Sequence, residues 1–273
     1  MVNYVNAQTA CHKCEDDNTP ISTAKCFNCG DKCIECQQSN NLLSGCDRCG
    51  FREKIVSGDN TIEDFCLWLF TKQHYHFKVF SHNGKSFDNH FILRHMLSQG
   101  ASPKVIYQGS KIITMSFKNI RFIDSACFCL MALSQLPKAF GLEEDLSKQA
   151  FPHFFNTSEN QHYHGVRPAP HFYGVEDMTE IKKEAFLKWY ENTKDEVFDF
   201  KAEMECYCRM DTSILRKAML KFRQILVKLC QIDPFESVTI AGLCMRIFRQ
   251  NFMTENWIAT LNGEKVPVFK LKG

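Results

Sequence analysis

The segment 81–93 brings together an amide, an aromatic ring and a carboxylate, in the order Asn83, Phe87 and Asp88. The residues before it have a strand-like apolar pattern, and those from position 87 onward show helical periodicity. A carboxylate at a strand-to-helix junction can bind a metal ion, while an adjacent amide and ring can hold the end of a single-stranded DNA. The alternative interpretation of Asp88 is a helix N-terminal carboxylate that complements the helix dipole.

Tyr207 and Asp211 form a second candidate pair inside the segment 198–230, which has the apolar periodicity of a long helix. Residues four apart lie on the same helix face, one turn from each other. A phenol beside a metal-binding carboxylate can orient an attacking water molecule. The alternative is that the two residues form the polar rim of an amphipathic helix.

Eight of the fifteen cysteines occur as four Cys-x2-Cys pairs, separated by gaps of eleven, three and nine residues. Two such pairs can complete a tetrahedral four-thiolate zinc site, so the pattern predicts about two structural Zn²⁺ ions. Pairing in chain order is the expectation, although a cross-braced arrangement and plain reduced thiols remain alternatives. The predicted ligands are Cys11, Cys14, Cys26 and Cys29 for one ion, and Cys33, Cys36, Cys46 and Cys49 for the other.

The elements that must position these residues alternate between strands and helices, which predicts an α/β fold. The residues 150–174 are rich in proline, histidine and aromatic residues and predict an irregular surface segment. The predicted strands cover 2–9, 54–56, 77–81, 105–107, 112–117 and 120–123. The predicted helices cover 61–72, 87–99, 130–140 with a break at Pro137, 179–192, 198–230 and 237–251.

Length and composition narrow the classes of function. A chain of 273 residues with 44% hydrophobic content can bury one core and a small appended module. A net charge of +2 gives no global sign of nucleic-acid binding, so any DNA contact must come from a local groove. No apolar run approaches the roughly 18 residues of a membrane span, and no membrane partner is expected. The Cys-x2-Cys pairs favour a reducing intracellular compartment, such as the nucleus.

The spacing Asn83-x3-Phe87-Asp88, followed by Tyr207-x3-Asp211, resembles the second and third motifs of the 3′→5′ exonuclease domain of family B DNA polymerases. Between them, Ser125 resembles a DNA or terminal-protein contact, although alanine follows it here where the family has leucine. Lys148 lies in a stretch that resembles the Lys-x2-apolar motif of the protein-primed branch. The alternative interpretation of Lys148 is an ordinary solvated lysine. The cysteine-rich insertion and the segment 151–156 resemble Polinton/Maverick mobile-element polymerases.

This resemblance implies a ribonuclease-H-like domain and a DNA-directed DNA polymerase that acts in replicating a mobile element. It implies Mg²⁺ at Asp88 and Asp211, with Tyr207 orienting the water. The implied DNA contacts are Asn83, Phe87, Ser125 and Lys148. The expected partners are single-stranded or primer-terminus DNA and a terminal priming protein. The expected domains are a zinc-binding insertion at 11–49, an exonuclease-like domain at 1–10 and 50–232, and a helical lead-in to a polymerase palm at 233–273.

Some motifs of that family do not occur in this sequence. The first exonuclease motif, Asp-x-Glu, would precede residues 2–5, and the palm motifs do not occur before residue 273. The expectation is therefore a fragment that alone neither extends primers nor degrades DNA. The alternative is a non-catalytic, zinc-containing module, derived from such a polymerase, that binds nucleic acid or protein.

Overall fold

The computed structural model describes residues 2–11, 46, 52–142 and 150–253, which form two compact units. The first unit comprises residues 1–68 and 137–216, and the second comprises residues 69–136 and 217–273. Lys148 and six of the eight predicted zinc ligands lie outside the described residues. These six are Cys14, Cys26, Cys29, Cys33, Cys36 and Cys49.

The first unit begins with an antiparallel hairpin, in which Gln8 pairs with Glu53 and Tyr4 pairs with Ser57. The cysteine-rich segment is therefore inserted between the two strands of one hairpin. Four phenylalanines and one methionine form a buried hydrophobic cluster in this unit: Phe151, Phe155, Phe198, Phe200 and Met204. The elements are β1 (Tyr4–Gln8), β2 (Glu53–Ser57), α1 (Thr61–Leu69), α3 (Leu136–Phe140), β7 (His164–Val166), α4 (Glu180–Thr193), β8 (Val197–Asp199) and the start of α5 (Phe200–Cys230).

The second unit is built on a four-stranded sheet in the order β3-β6-β5-β4, with β3 and β6 parallel and the other pairs antiparallel. Phe122 and Ile123 are both almost completely buried. Because consecutive strand residues point to opposite faces, β6 is covered on both sides. The elements are β3 (Lys78–Ser81), α2 (Asp88–Ser98), β4 (Lys104–Gln108), β5 (Lys111–Phe117), β6 (Ile120–Asp124), the end of α5 and α6 (Ile240–Asn251).

The α/β prediction is confirmed, and the predicted strands and helices outside 130–140 occur within a few residues of their expected bounds. The prediction for 130–140 is wrong in its start, because α3 begins only at Leu136. Pro137 does not break this helix, since the first turn needs no N–H group from it. The short strands β7 and β8 lie in segments too brief to show a period-2 pattern. Across the described ranges, no helix is long and apolar enough to span a bilayer.

Candidate functional site

The turn between β3 and α2 carries the first group of predicted site residues. Parallel pairing of β3 with β6 places Ser81 opposite Asp124 at the carboxyl edge of both strands. The chain then reverses through Asn83, whose φ of 63° lies in the left-handed region that asparagine tolerates better than most residues. Helix α2 begins at Asp88, directly after Phe87.

Asp124 organises this turn from the neighbouring strand. Its side chain is completely buried. One carboxylate oxygen accepts hydrogen bonds from the backbone N–H groups of Asn83 and Ala126, at 2.9 and 2.8 Å. The other oxygen accepts one from the N–H of Lys85 at 2.9 Å. Three N–H groups therefore surround one buried charge, which fixes the backbone that presents Asn83 and leads into α2.

Gly84 is required at the centre of the same turn. A Cβ atom at this position would lie 1.9 Å from Ser81 Oγ and 2.7 Å from Ser81 Cβ, both closer than atoms can approach. The same Cβ would lie 3.4 Å from Asp88 Oδ2. The turn thus closes tightly over the end of β3 and brings the Asp88 carboxylate over the glycine.

The electrostatics of Asp88 disfavour its charged form. Asp88 as a residue is exposed, but the protein atoms packed around its carboxylate raise the pKa by desolvation. The backbone N–H of Asp88 opposes this shift, and the negative charge of Asp124 adds to it, so the pKa is raised overall. A cation beside the Asp88 carboxylate would offset both unfavourable effects.

Asn83 and Phe87 lie on the solvent side of the turn. Asn83 is exposed, and 62% of the Phe87 surface is open to solvent. An exposed aromatic ring is a surface on which a nucleic-acid base can stack.

Ser125, by contrast, lies inside the second unit. It is completely buried, and its hydroxyl donates a hydrogen bond to the Ser81 carbonyl at 3.0 Å. Nδ1 of His82 lies 2.9 Å from the same hydroxyl, and Nε2 of His82 lies 3.0 Å from the Met131 carbonyl. These contacts join the ends of β3 and β6, and the DNA contact predicted for Ser125 remains a prediction.

The second group of predicted residues lies on α5, in the first unit. Tyr207 is partly buried, with its ring 5.0 Å from that of Phe151 and 5.2 Å from that of His153, measured between centroids. One turn later, Oδ1 of Asp211 is buried. Tyr207 and Asp211 therefore lie one turn apart on α5, and the segment 151–153 packs against the Tyr207 ring.

A buried ion pair fixes this part of α5 against the hairpin. The Glu53 side chain has no solvent-exposed surface, and its Oε1 accepts hydrogen bonds from Arg209 Nε and Asn6 Nδ2, both at 2.9 Å. Arg209 also donates to Glu205 at 2.9 Å. Burial lowers the pKa of Arg209, but the bonds and charges of Glu53 and Glu205 outweigh this effect and raise it.

Asp88 and Asp211 belong to different compact units, so each group is a local arrangement within its own unit. Among the residues with described positions, no three His, Cys, Asp or Glu side chains form a group that could hold a metal. Of the predicted zinc ligands, Cys11 and Cys46 are described, and their sulfur atoms lie 3.7 Å apart.

The positioning roles of Asp124, Glu53 and Arg209 were not predicted. Asp124 ends a strand immediately before Ser125, and an acidic residue at the end of an apolar strand was the available signal. Glu53 and Arg209 carry no such signal, because ordinary surface charges have the same appearance in a sequence.

Comparison with known proteins places most of the chain in one family. The family model described as DNA polymerase type B, organellar and viral, matches residues 71–267. A probable DNA polymerase of Neurospora intermedia is 25% identical over 207 residues, which cover 71% of this chain and 21% of the relative. A probable DNA polymerase of Ascobolus immersus is 26% identical over 202 residues, which cover 69% and 16%. A DNA polymerase of Kluyveromyces lactis is 25% identical over 187 residues, which cover 64% and 18%.

The aligned region thus spans at most about a fifth of the length of these relatives. No solved structure matches the chain significantly.

Proposed function

Because the chain belongs to the type B DNA polymerases of organelles and viruses, we propose that it supplies the 3′→5′ exonuclease region of a protein-primed DNA polymerase that replicates a mobile element. The observation that carries the proposal is the turn before α2. It presents Asn83 and Phe87 to solvent and ends on Asp88, whose pKa is raised. Its backbone is fixed by the buried Asp124. A rigid carboxylate beside an exposed ring suits the 3′ end of a single strand.

In this proposal Asp88 is a ligand of Mg²⁺, which prefers carboxylate oxygens. The residues fit this role, since desolvation and the Asp124 charge both raise the pKa of Asp88 and a dication would offset both. When bound, the metal supplies activation of a water molecule and stabilisation of the leaving 3′ oxygen. The proposed roles of Asp211, as a ligand, and of Tyr207, as the group that orients water, rest on the resemblance of their spacing to the third exonuclease motif.

The DNA contacts in this proposal are Asn83 and Phe87 from the turn, with Ser125 and Lys148 as further candidates. Alternation of strands and helices, with acidic residues at strand ends, supports a ribonuclease-H-like fold. A terminal priming protein is the proposed second partner. The four Cys-x2-Cys pairs support structural zinc.

Replacing Phe87 with alanine is expected to weaken binding of a single-stranded oligonucleotide about 5- to 140-fold. The reason is that stacking of one base on an aromatic ring contributes roughly 1–3 kcal/mol. Fluorescence anisotropy with a labelled 20-nucleotide strand measures this, and a hairpin duplex of the same length tests for strand preference. Phe154→Ala is the matched control, because 63% of Phe154 is exposed compared with 62% of Phe87. Equal losses of affinity in the two variants, or no loss of affinity in Phe87→Ala, would contradict the proposed stacking on Phe87.

Replacing Asp88 with asparagine is expected to raise the melting temperature of the metal-free protein at pH 7. Because the folded-state pKa of Asp88 is raised, the wild-type protein loses stability as pH rises through that pKa. Asparagine does not ionise, so the variant does not lose this stability. The difference should vanish below about pH 4, where the carboxyl is protonated in both folded and unfolded states. Added Mg²⁺ or Mn²⁺ should then stabilise the wild type and leave Asp88→Asn unchanged. Thermal melts between pH 4 and 8, with and without metal, test the pH effect and the metal effect. An equal rise in melting temperature with metal in the wild type and in Asp88→Asn would refute the ligand role.

A further inference from the structure

One face of α6 lines a concave surface on the second unit, with a volume of about 570 Å³. Residues at intervals of three and four positions share a helix face, and the five helix residues that line the concavity have this spacing. They are all exposed, whereas Leu243 is completely buried and anchors the helix. The turn before the helix contributes Glu236 to the same surface. The five residues of the helix are Gly242, Met245, Arg246, Arg249 and Gln250.

The net charge of this surface is positive. Arg246 and Arg249 are both exposed, and α6 contains no acidic residue. Within the part of the chain that the structure describes, neither guanidinium has a carboxylate at ion-pair distance. The carboxylate of Glu236 accepts a hydrogen bond from the ammonium group of Lys78, which offsets its charge. Two guanidinium groups therefore remain for an anionic partner, and their planar arrangement of donors suits phosphate oxygens.

Exposed aromatic rings lie close to the arginines on the same helix and directly after it. The exposed fractions of Phe248 and Phe252 are 41% and 58%. Their rings are nearly parallel, with 19° between the planes and 6.3 Å between the centroids. Exposed rings on successive turns, next to positive charge, form a surface on which the bases of a single strand can stack.

We propose that this part of α6 is a second contact surface for single-stranded nucleic acid, formed by residues other than those of the turn that carries Phe87. Arg246 and Arg249 bind backbone phosphates, and Phe248 and Phe252 stack with bases. A single strand is favoured because it offers both phosphates and open base faces, whereas a duplex keeps its bases stacked and an acidic polypeptide engages the arginines alone. The contact needs no metal ion, so it does not depend on the proposed exonuclease chemistry.

The role of the arginines is tested by the salt dependence of binding. Each phosphate contact with a single strand contributes about 0.7 to the slope of log affinity against log salt concentration, so Arg246→Gln/Arg249→Gln should reduce this slope by about 1.4. The measurement is fluorescence anisotropy of a labelled single-stranded oligonucleotide with the full chain in EDTA. Lys182→Gln/Lys188→Gln is the matched control, because it removes two exposed positive charges from α4. Equal changes of slope in the two variants, or none in the arginine variant, would overturn the proposal.

The role of the rings is tested with Phe252→Ala, which should weaken binding of the single strand about 5- to 140-fold and leave binding of a blunt duplex nearly unchanged. Phe154→Ala is the control, since 63% of Phe154 is exposed compared with 58% of Phe252. In the wild type, an oligonucleotide that contains 5-iodouracil should form photocrosslinks within residues 240–253, located by mass spectrometry. Crosslinks confined to the turn around Phe87, together with full affinity in Phe252→Ala, would overturn this proposal and assign the surface to a protein partner. Loss of crosslinks at Phe87 alone would count only against the exonuclease proposal, because crosslinks within 240–253 would still support this one.

Discussion

Replacing Asp124 with alanine is expected to lower the free energy of unfolding by about 3–5 kcal/mol. The substitution leaves the N–H groups of Asn83, Lys85 and Ala126 without their acceptor. Burying one such group without a partner costs about 1–3 kcal/mol, and partial entry of water reduces the sum. Urea unfolding followed by circular dichroism measures this loss. The proposed DNA binding should weaken with it, because the same bonds hold the turn that presents Phe87.

A graded series tests whether these hydrogen bonds are the cause. In Asp124→Asn, the amide oxygen can still accept from Asn83 and Ala126, while the amide nitrogen would face the Lys85 N–H. We expect this variant to lose about 1–3 kcal/mol, less than the alanine variant. Asp195→Asn changes an exposed carboxylate and should stay within about 0.5 kcal/mol of the wild type. Equal losses for the alanine and asparagine variants would point to charge instead of hydrogen bonding.

Replacing Glu53 with alanine is expected to cost a similar 3–5 kcal/mol, since it removes one partner of a buried ion pair. Glu53 has no exposed side-chain surface, and Arg209 would keep its charge after losing this carboxylate, while its bond to Glu205 stays in place. Hydrogen exchange should show faster opening of α5 around Tyr207 and Asp211. The measurement is chemical unfolding together with amide exchange resolved by peptide.

Glu53→Gln removes the charge of this side chain and keeps its shape. Glutamine retains an oxygen that can accept from Arg209 and Asn6, so we expect a loss of about 1–3 kcal/mol. Glu176→Ala, on an exposed side chain, should leave both stability and exchange near wild-type values. If Glu53→Ala behaved like Glu176→Ala, the ion pair would contribute nothing to holding α5.

The local elements around the site were predictable because they depend on short-range patterns. The strand before Ser81 and the helix after Asp88 follow from apolar periodicity, and both occur within one residue of the expected bounds. The helix that carries Tyr207 and Asp211 begins two residues later than expected and ends at Cys230. In these segments, local preference and tertiary structure agree.

What could not be predicted depends on contacts between distant parts of the chain. Asp124 meets the turn only because β6 lies parallel to β3 in the register Ser81 to Asp124. Glu53 and Arg209 are 156 positions apart. The neighbourhood of Cys11 and Cys46 depends on the pairing of β1 with β2. None of these pairings leaves a signature in residue spacing, because strand order and register are set by the packing of the whole unit.

The pairing of β1 with β2 also makes one position of the chain tolerant of changes in length. The segment between them enters and leaves the unit at adjacent points, next to Gln8 and Glu53. Lengthening or shortening it leaves the strand register untouched, and loop-closure entropy depends only weakly on length. The tip of this hairpin is thus a natural position for exchanging whole modules, whereas the turn at Gly84 accepts not even a methyl group. Variation among related chains should therefore be concentrated at the first position and be almost absent at the second.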